Sequence, residues 1–186
     1  MPRRKKAGPQ PVYTSLAILI DDYQAQAKIG INVNLLGTGI FGIDDEAPIH
    51  VTDSKLWLSG TCTHPEERTG ERYEVSLVAP TKPDQWMDRR IKDLHARDAN
   101  GSPRYAKRRG GLEPIYAEPP PVAWLNKIRG ENAWSVYTWV APQMVTHGLG
   151  ILASSKPVYL SIYERRISRK REVRNLSIQT TDPSEE

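Results

Sequence analysis

Residues 158–180, VYLSIYERRISRKREVRNLSIQT, constrain this chain more than any other stretch. Val158, Leu160 and Ile162 alternate with Tyr159, Ser161 and Tyr163, and Leu176 and Ile178 alternate in the same way further on. Period two is the pattern of half-buried strands. Between the two runs, Arg165, Arg166, Arg169, Lys170, Arg171 and Arg174 stand against only Glu164 and Glu172. The stretch therefore predicts a hairpin with an apolar root that a core must cover. Its charged tip must face water or an acidic partner.

The rest of the chain is read around that hairpin. Thr14 or Ser15 can cap a helix over residues 14–27, with Leu16, Leu19, Ile20, Tyr23 and Ala27 on one face; a strand over the apolar run 16–20 is the alternative. Residues 29–35 alternate as a strand. They run into Gly37-Thr38-Gly39-Ile40-Phe41-Gly42, which has the letters of a dinucleotide-binding loop. Asp44, Asp45, Glu46 and Pro48 follow where a helix N-terminus would have to receive phosphate, so the glycines read as easing a turn. Residues 55–62 and 72–77 form a second hairpin. Residues 84–98 read as a helix with Trp86, Met87, Ile91 and Leu94 as its stripe, ended by Asn100-Gly101. A short helix with Val122, Leu125 and Ile128 inward comes next, then a strand over 133–140. A helix from Pro142 to Leu152 precedes the organising hairpin. The expected fold class is α+β: a mainly antiparallel sheet built from hairpins, with three to four helices inserted between strand groups.

At 186 residues the chain reads as a single domain over 13–180. A flexible basic tail (1–12) and an acidic tail (181–186) flank it, and a long basic loop rich in proline and glycine occupies 99–121. One cysteine, Cys62, rules out an internal disulfide framework and fits a reducing, cytoplasmic compartment. No apolar run is long enough to suggest a membrane span or a signal core. The net charge of +4 is unevenly spread. Residues 7–100 carry 9 positive and 14 negative side chains, whereas residues 101–180 carry 13 and 5. That skew points to a polyanionic partner for the second half.

Residues that could carry chemistry are few and scattered along the chain. His50, His64, His95 and His147 do not pair at ligand spacings, and Cys62-Thr63-His64 offers two ligands where zinc needs three or four. Cys62 falls at an inward strand position, where cysteine serves as a small hydrophobe. Asp21-Asp22 and Asp44-Asp45-Glu46 are carboxylate clusters of the kind that hold a divalent cation, but adjacent acids more often decorate a surface. No catalytic, metal or cofactor set is assigned.

The basic segments remain. Arg104, Lys107, Arg108 and Arg109 in the loop, with Arg165, Arg166, Arg169, Lys170, Arg171 and Arg174 in the hairpin, have the character of phosphate contacts to DNA or RNA. Tyr137, Trp139, Tyr159 and Tyr163 lie on second faces of expected strands, where exposed rings stack bases and covered ones pack under helices. The leading expectation is a non-enzymatic nucleic-acid-binding protein. The rival is a subunit of a larger complex that docks its basic hairpin on an acidic protein. A third is an enzyme whose site is assembled from residues distant in sequence.

Overall fold

In the computed structural model, which describes residues 9–31, 49–80 and 90–185, the chain is dominated by strands. In order these are β1 (Val12–Ile31), β2 (His50–His64), β3 (Arg72–Pro80), β4 (Tyr105–Arg108), β5 (Gly111–Pro114), β6 (Ala123–Lys127), β7 (Ala133–Trp139), β8 (Tyr159–Ile167) and β9 (Lys170–Gln179). The α-helix α1 (Pro142–Leu152) lies between β7 and β8. Two compact units result, residues 1–82 with 121–186, and residues 83–120.

The first unit is a closed seven-stranded barrel in the order β1-β2-β3-β7-β6-β9-β8, with β8 returning to β1. Neighbours are antiparallel except β3 and β7, which run parallel from Arg72 beside Ala133 to Val78 beside Trp139. Closure leaves no free sheet edge around the core. Inward positions supply the interior, with Leu16, Ile18, Leu56, Leu58, Tyr73, Val75, Leu77, Val136, Leu160, Ile162 and Val173 all buried. Helix α1 packs at one end of the barrel. Its Gly148 lies so close to the wall that a Cβ would meet Ile178 Cδ1 at 3.0 Å and Leu56 Cδ2 at 3.2 Å. The opposite end carries the turn between β8 and β9.

The α+β expectation is therefore overturned: the fold is a β-barrel with one α-helix among the described residues. Two predicted helices are strands. Leu16 and Ile18 face the core while the run around them is apolar throughout, so a helical stripe and a strand fitted the same five residues. The β1–β2 ladder shifts register at Ala17/Ile18 and at Ile20/Asp22, and the second shift places Asp21 as an extra residue in β1, which breaks the alternation that would have identified it. In the stretch expected as a short helix, Ala123 and Leu125 are buried and Trp124 is exposed, the pattern of strand β6. Of the predicted helix 84–98, residues 84–89 lie outside the described residues, and Ile91–Leu94 forms only a short 3-10 turn. Ile91 is exposed there and Leu94 half-buried, so Ile91 covers no core. The helix from Pro142 and the two main hairpins stand as expected. The glycine motif 37–42 and the cluster Asp44-Asp45-Glu46 lie outside the described residues.

The second unit holds the β4–β5 hairpin, turned by Gly111 at φ 132°. His95 is bridged to Tyr116 and lies stacked on it at 5.2 Å, with Tyr105 edge-on at 5.6 Å. The segment expected as a structureless basic loop is thus partly a two-stranded sheet.

Candidate nucleic-acid interface

The β8–β9 ladder sorts the hairpin cations by the face each one occupies. Ile167 pairs with Lys170, Arg166 with Arg171, Arg165 with Glu172 and Glu164 with Val173, and Ser168 makes the turn at φ 58°. Glu164 follows Ile162 on the inner face and is 1% exposed. Arg171 Nη1 donates to both of its oxygens, at 2.8 and 3.2 Å, and Arg68 Nη1 donates to Oε2 at 3.1 Å.

Arg68 comes from the β2–β3 connection and also donates to Glu71 and to the Tyr73 hydroxyl. Burial disfavours the charge of Arg68. The hydrogen bond with Glu71, together with the nearby Tyr73, Glu164 and Glu71, outweighs that penalty and holds its pKa above the ordinary value. Trp134 completes the cluster. Its Nε1–H donates to Glu71 at 3.0 Å, and its ring has Arg171 at 4.5 Å, Lys127 at 4.8 Å and Arg68 at 5.1 Å. This end of the barrel is closed by paired charge around an aromatic ring, an arrangement that holds the hairpin to the β2–β3 connection.

On the outer face, Tyr13, Arg165, Glu172 and Trp124 fall in one row across β1, β8, β9 and β6. Arg165 Nε donates to Glu172 at 2.8 Å, and Arg174 reaches the same carboxylate at 3.6 Å. Tyr163 stacks on Tyr13 at 5.7 Å. Arg165, Arg171 and Arg174 are therefore committed to glutamates of their own hairpin. Arg166, Arg169 and Lys170 are exposed.

A groove opens beside those exposed cations. Strand β6 pairs with β9 at Ala123 and Trp124, then continues along β7 from Leu125 to Lys127. The hairpin tip runs on without it. The space between them, about 310 Å³, is lined by Trp124, Leu125, Asn126, Arg169, Lys170 and Arg171. Lys170 Nζ stands 5.9 Å from the Trp124 ring centroid, and that ring is 43% exposed.

The remaining expected residues are not among those that line this groove. Arg104, Lys107, Arg108 and Arg109 are exposed on the β4–β5 hairpin of the second unit, where Arg108 pairs with Glu113 at 3.2 Å. Tyr137, Trp139 and Tyr163 are exposed on the barrel's outer surface, and Tyr137 meets Trp139 edge-on at 6.2 Å. Tyr159 is half-buried and hydrogen-bonded to Asp182. Burial and that carboxylate raise its pKa, while Ser184 and Tyr159 lower that of Asp182.

Cys62 is buried and donates to the His64 carbonyl at 3.0 Å. Burial pushes the thiol up to about 11, which leaves it protonated and unsuited to nucleophilic attack. Asp21 is the extra residue at the β1 bulge and accepts from Thr61 at 3.3 Å and from Arg72 at 3.4 Å, so its carboxylate has a structural partner. Among the described residues, no three histidine, cysteine or acidic side chains gather as a metal site, and no helix is long and apolar enough to cross a membrane.

Trp124, Trp134, Lys127 and Arg68 were not legible as functional residues. Reading 123–127 as a strand would have put Trp124 opposite Leu125 and thus on the outer face. Nothing in sequence joins Arg68 to Glu164. No known family, curated protein or solved structure matches this chain.

Proposed function

We propose that this protein binds single-stranded nucleic acid, DNA or RNA, in the groove between β6 and the β8–β9 turn. The observation that carries the reading is the convergence of an exposed tryptophan with Arg169, Lys170 and Arg171 on one cleft. A base stacks on the Trp124 face, and Arg169 and Lys170 neutralise the adjoining phosphates. Base–aromatic stacking and phosphate neutralisation are the two contributions that single-strand binders combine. A base inside a duplex offers no free face to the ring, so single strands are preferred. Arg171 serves the groove less directly, because Glu164 holds it. Arg166 adds charge close by, and Arg104, Lys107, Arg108 and Arg109 form a second phosphate contact on their own unit. A cytoplasmic setting suits the free thiol of Cys62.

Fluorescence anisotropy with labelled single-stranded and duplex oligonucleotides in low salt tests this. The wild type should prefer the single strand, and an Arg169→Ala/Lys170→Ala variant should bind both forms more weakly. Binding by the double variant equal to wild type would remove the reading. Arg171 is left intact in this test because its loss would remove one of the two arginines that pair with the buried Glu164.

One observation favours the rival reading as an assembly subunit. Beyond Lys28, β1 and β2 pair as a two-stranded arm, on which Ile29, Ile31 and nearby Ile49 are exposed. Exposed apolar strands of this kind mark protein contacts. If an Ile29→Lys/Ile31→Lys variant changed the sedimentation of the protein with its natural neighbours while oligonucleotide binding was absent, the assembly reading would replace the first.

A further inference from the structure

The Trp124 groove is one end of a longer aromatic row on the outer face of the barrel. Trp57 on β2 pairs with Ser76 on β3, and Ser76 pairs with Tyr137 on β7. Leu125 on β6 pairs with Val136, so Trp124 and Tyr137 occupy adjoining outer positions of neighbouring strands. Trp57, Ser76, Tyr137 and Trp124 thus follow one another across four strands. The rings are exposed by 37, 55 and 43% for Trp57, Tyr137 and Trp124. Between Trp57 and Tyr137 the row crosses β3 at a half-buried serine, Ser76.

Charge is distributed unevenly along this row. None of its four members is a basic or acidic residue, and Lys55, two residues before Trp57 on the same face, is tied to Asp53 at 3.5 Å. Arg169 and Lys170 stand at the Trp124 end. A duplex laid along the row would bring phosphates at its Trp57 end to a lysine already paired with Asp53 and to a pocket that Trp57 shares with Asp22. A single strand can turn its bases onto the rings and keep its phosphates toward water and the hairpin tip.

We infer that the row from Trp124 through Tyr137 to Trp57 is the path of the bound single strand, with Trp57 as a distal base-stacking position. This rests on the groove reading above and extends it to a binding polarity across the barrel. At about 4.8 Å between strands, Trp124 to Trp57 spans about 14 Å. That is roughly four nucleotides at a stacked rise of about 3.4 Å each. A short oligonucleotide anchored at the groove stops before Trp57, and a longer one reaches it.

The test compares oligothymidylates of about three and about twelve nucleotides, lengths chosen below and above that span, binding to the full-length chain. Trp57→Ala should weaken the longer oligomer by about tenfold and leave the shorter one unchanged. Tyr137→Ala should weaken the longer one too, whereas Trp124→Ala should weaken both. All three replaced rings are exposed, and far-ultraviolet circular dichroism with a thermal midpoint checks that each variant folds. If Trp57→Ala and Tyr137→Ala bind the longer oligomer like wild type while Trp124→Ala loses affinity, the path is overturned and the groove reading survives. Equal weakening of both lengths by Trp57→Ala also overturns the path. If the wild type binds neither oligomer in low salt, both readings fall. Retention of neutral oligosaccharides that depends on Trp57, in place of oligonucleotides, would assign the row to a sugar and overturn the proposal.

Discussion

Glu164 is the residue on which the hairpin end of the barrel depends. It is buried on the inner face and accepts from both Arg68 and Arg171. Removing one partner of a buried ion pair typically costs about 3 kcal/mol or more, because the charge left behind has lost its compensation. Glu164→Ala should therefore lower stability by about 3 kcal/mol in denaturant titration, and a loss below about 0.5 kcal/mol would show that the cluster is not holding this end. Cys62 yields a pH prediction. The folded thiol titrates near 11 against an ordinary 9.0, so between those values the folded chain holds a proton that the unfolded chain releases. The contribution is intact below pH 9.0 and is lost as pH rises toward 11. Over that window wild type should lose more stability than Cys62→Ala, and matching slopes would contradict the assignment. Sequence alone showed that the hairpin is basic and that Cys62 points inward. It did not show that half of the hairpin's cations are taken up by its own two glutamates, because those pairs depend on a register broken by the bulge at Tyr163/Glu164.

At the scale of elements, β1 and β6 show where pattern reading stops. Five consecutive apolar residues at 16–20 satisfy a helix and a strand alike, and only pairing to β8 on one side and β2 on the other decides between them. The bulge at Asp21 is accommodated by Gly60 on β2, where an added Cβ would collide with the Leu19 carbonyl and approach Ile18 Cγ2 at 2.8 Å. Gly60→Ala should cost about 2 kcal/mol, since the obstacle is backbone and cannot rotate away. A thermal midpoint equal to wild type would mean that the bulge is not fixed there. Strand β6 reads as a helix in sequence because Val122, Leu125 and Ile128 keep helical spacing while Ala123 and Leu125 keep strand spacing. Its division between two neighbours, which creates the groove, is a tertiary event with no local signature. The two main hairpins and α1 were legible because each has a clean period and a proline or turn boundary.

At the scale of the whole molecule, the parallel join of β3 to β7 and the return of β8 to β1 turn a set of hairpins into a closed barrel. Both pairings link strands far apart in sequence, so alternation within a strand could suggest neither. The barrel fixes where function can reside, with α1 at one end, a charged cluster at the other and aromatic rings on its outer wall. In the proposed function one groove combines stacking with phosphate neutralisation, and a salt series separates the two contributions. Affinity for a single-stranded oligothymidylate should fall linearly in log–log form. Arg169→Ala/Lys170→Ala should make that slope shallower by about 1.4, at about 0.7 for each lost phosphate contact. Trp124→Ala should lower affinity by about tenfold at every salt concentration with the slope unchanged, as loss of a stacked base predicts. Slopes and affinities that coincide across all three proteins would contradict the account.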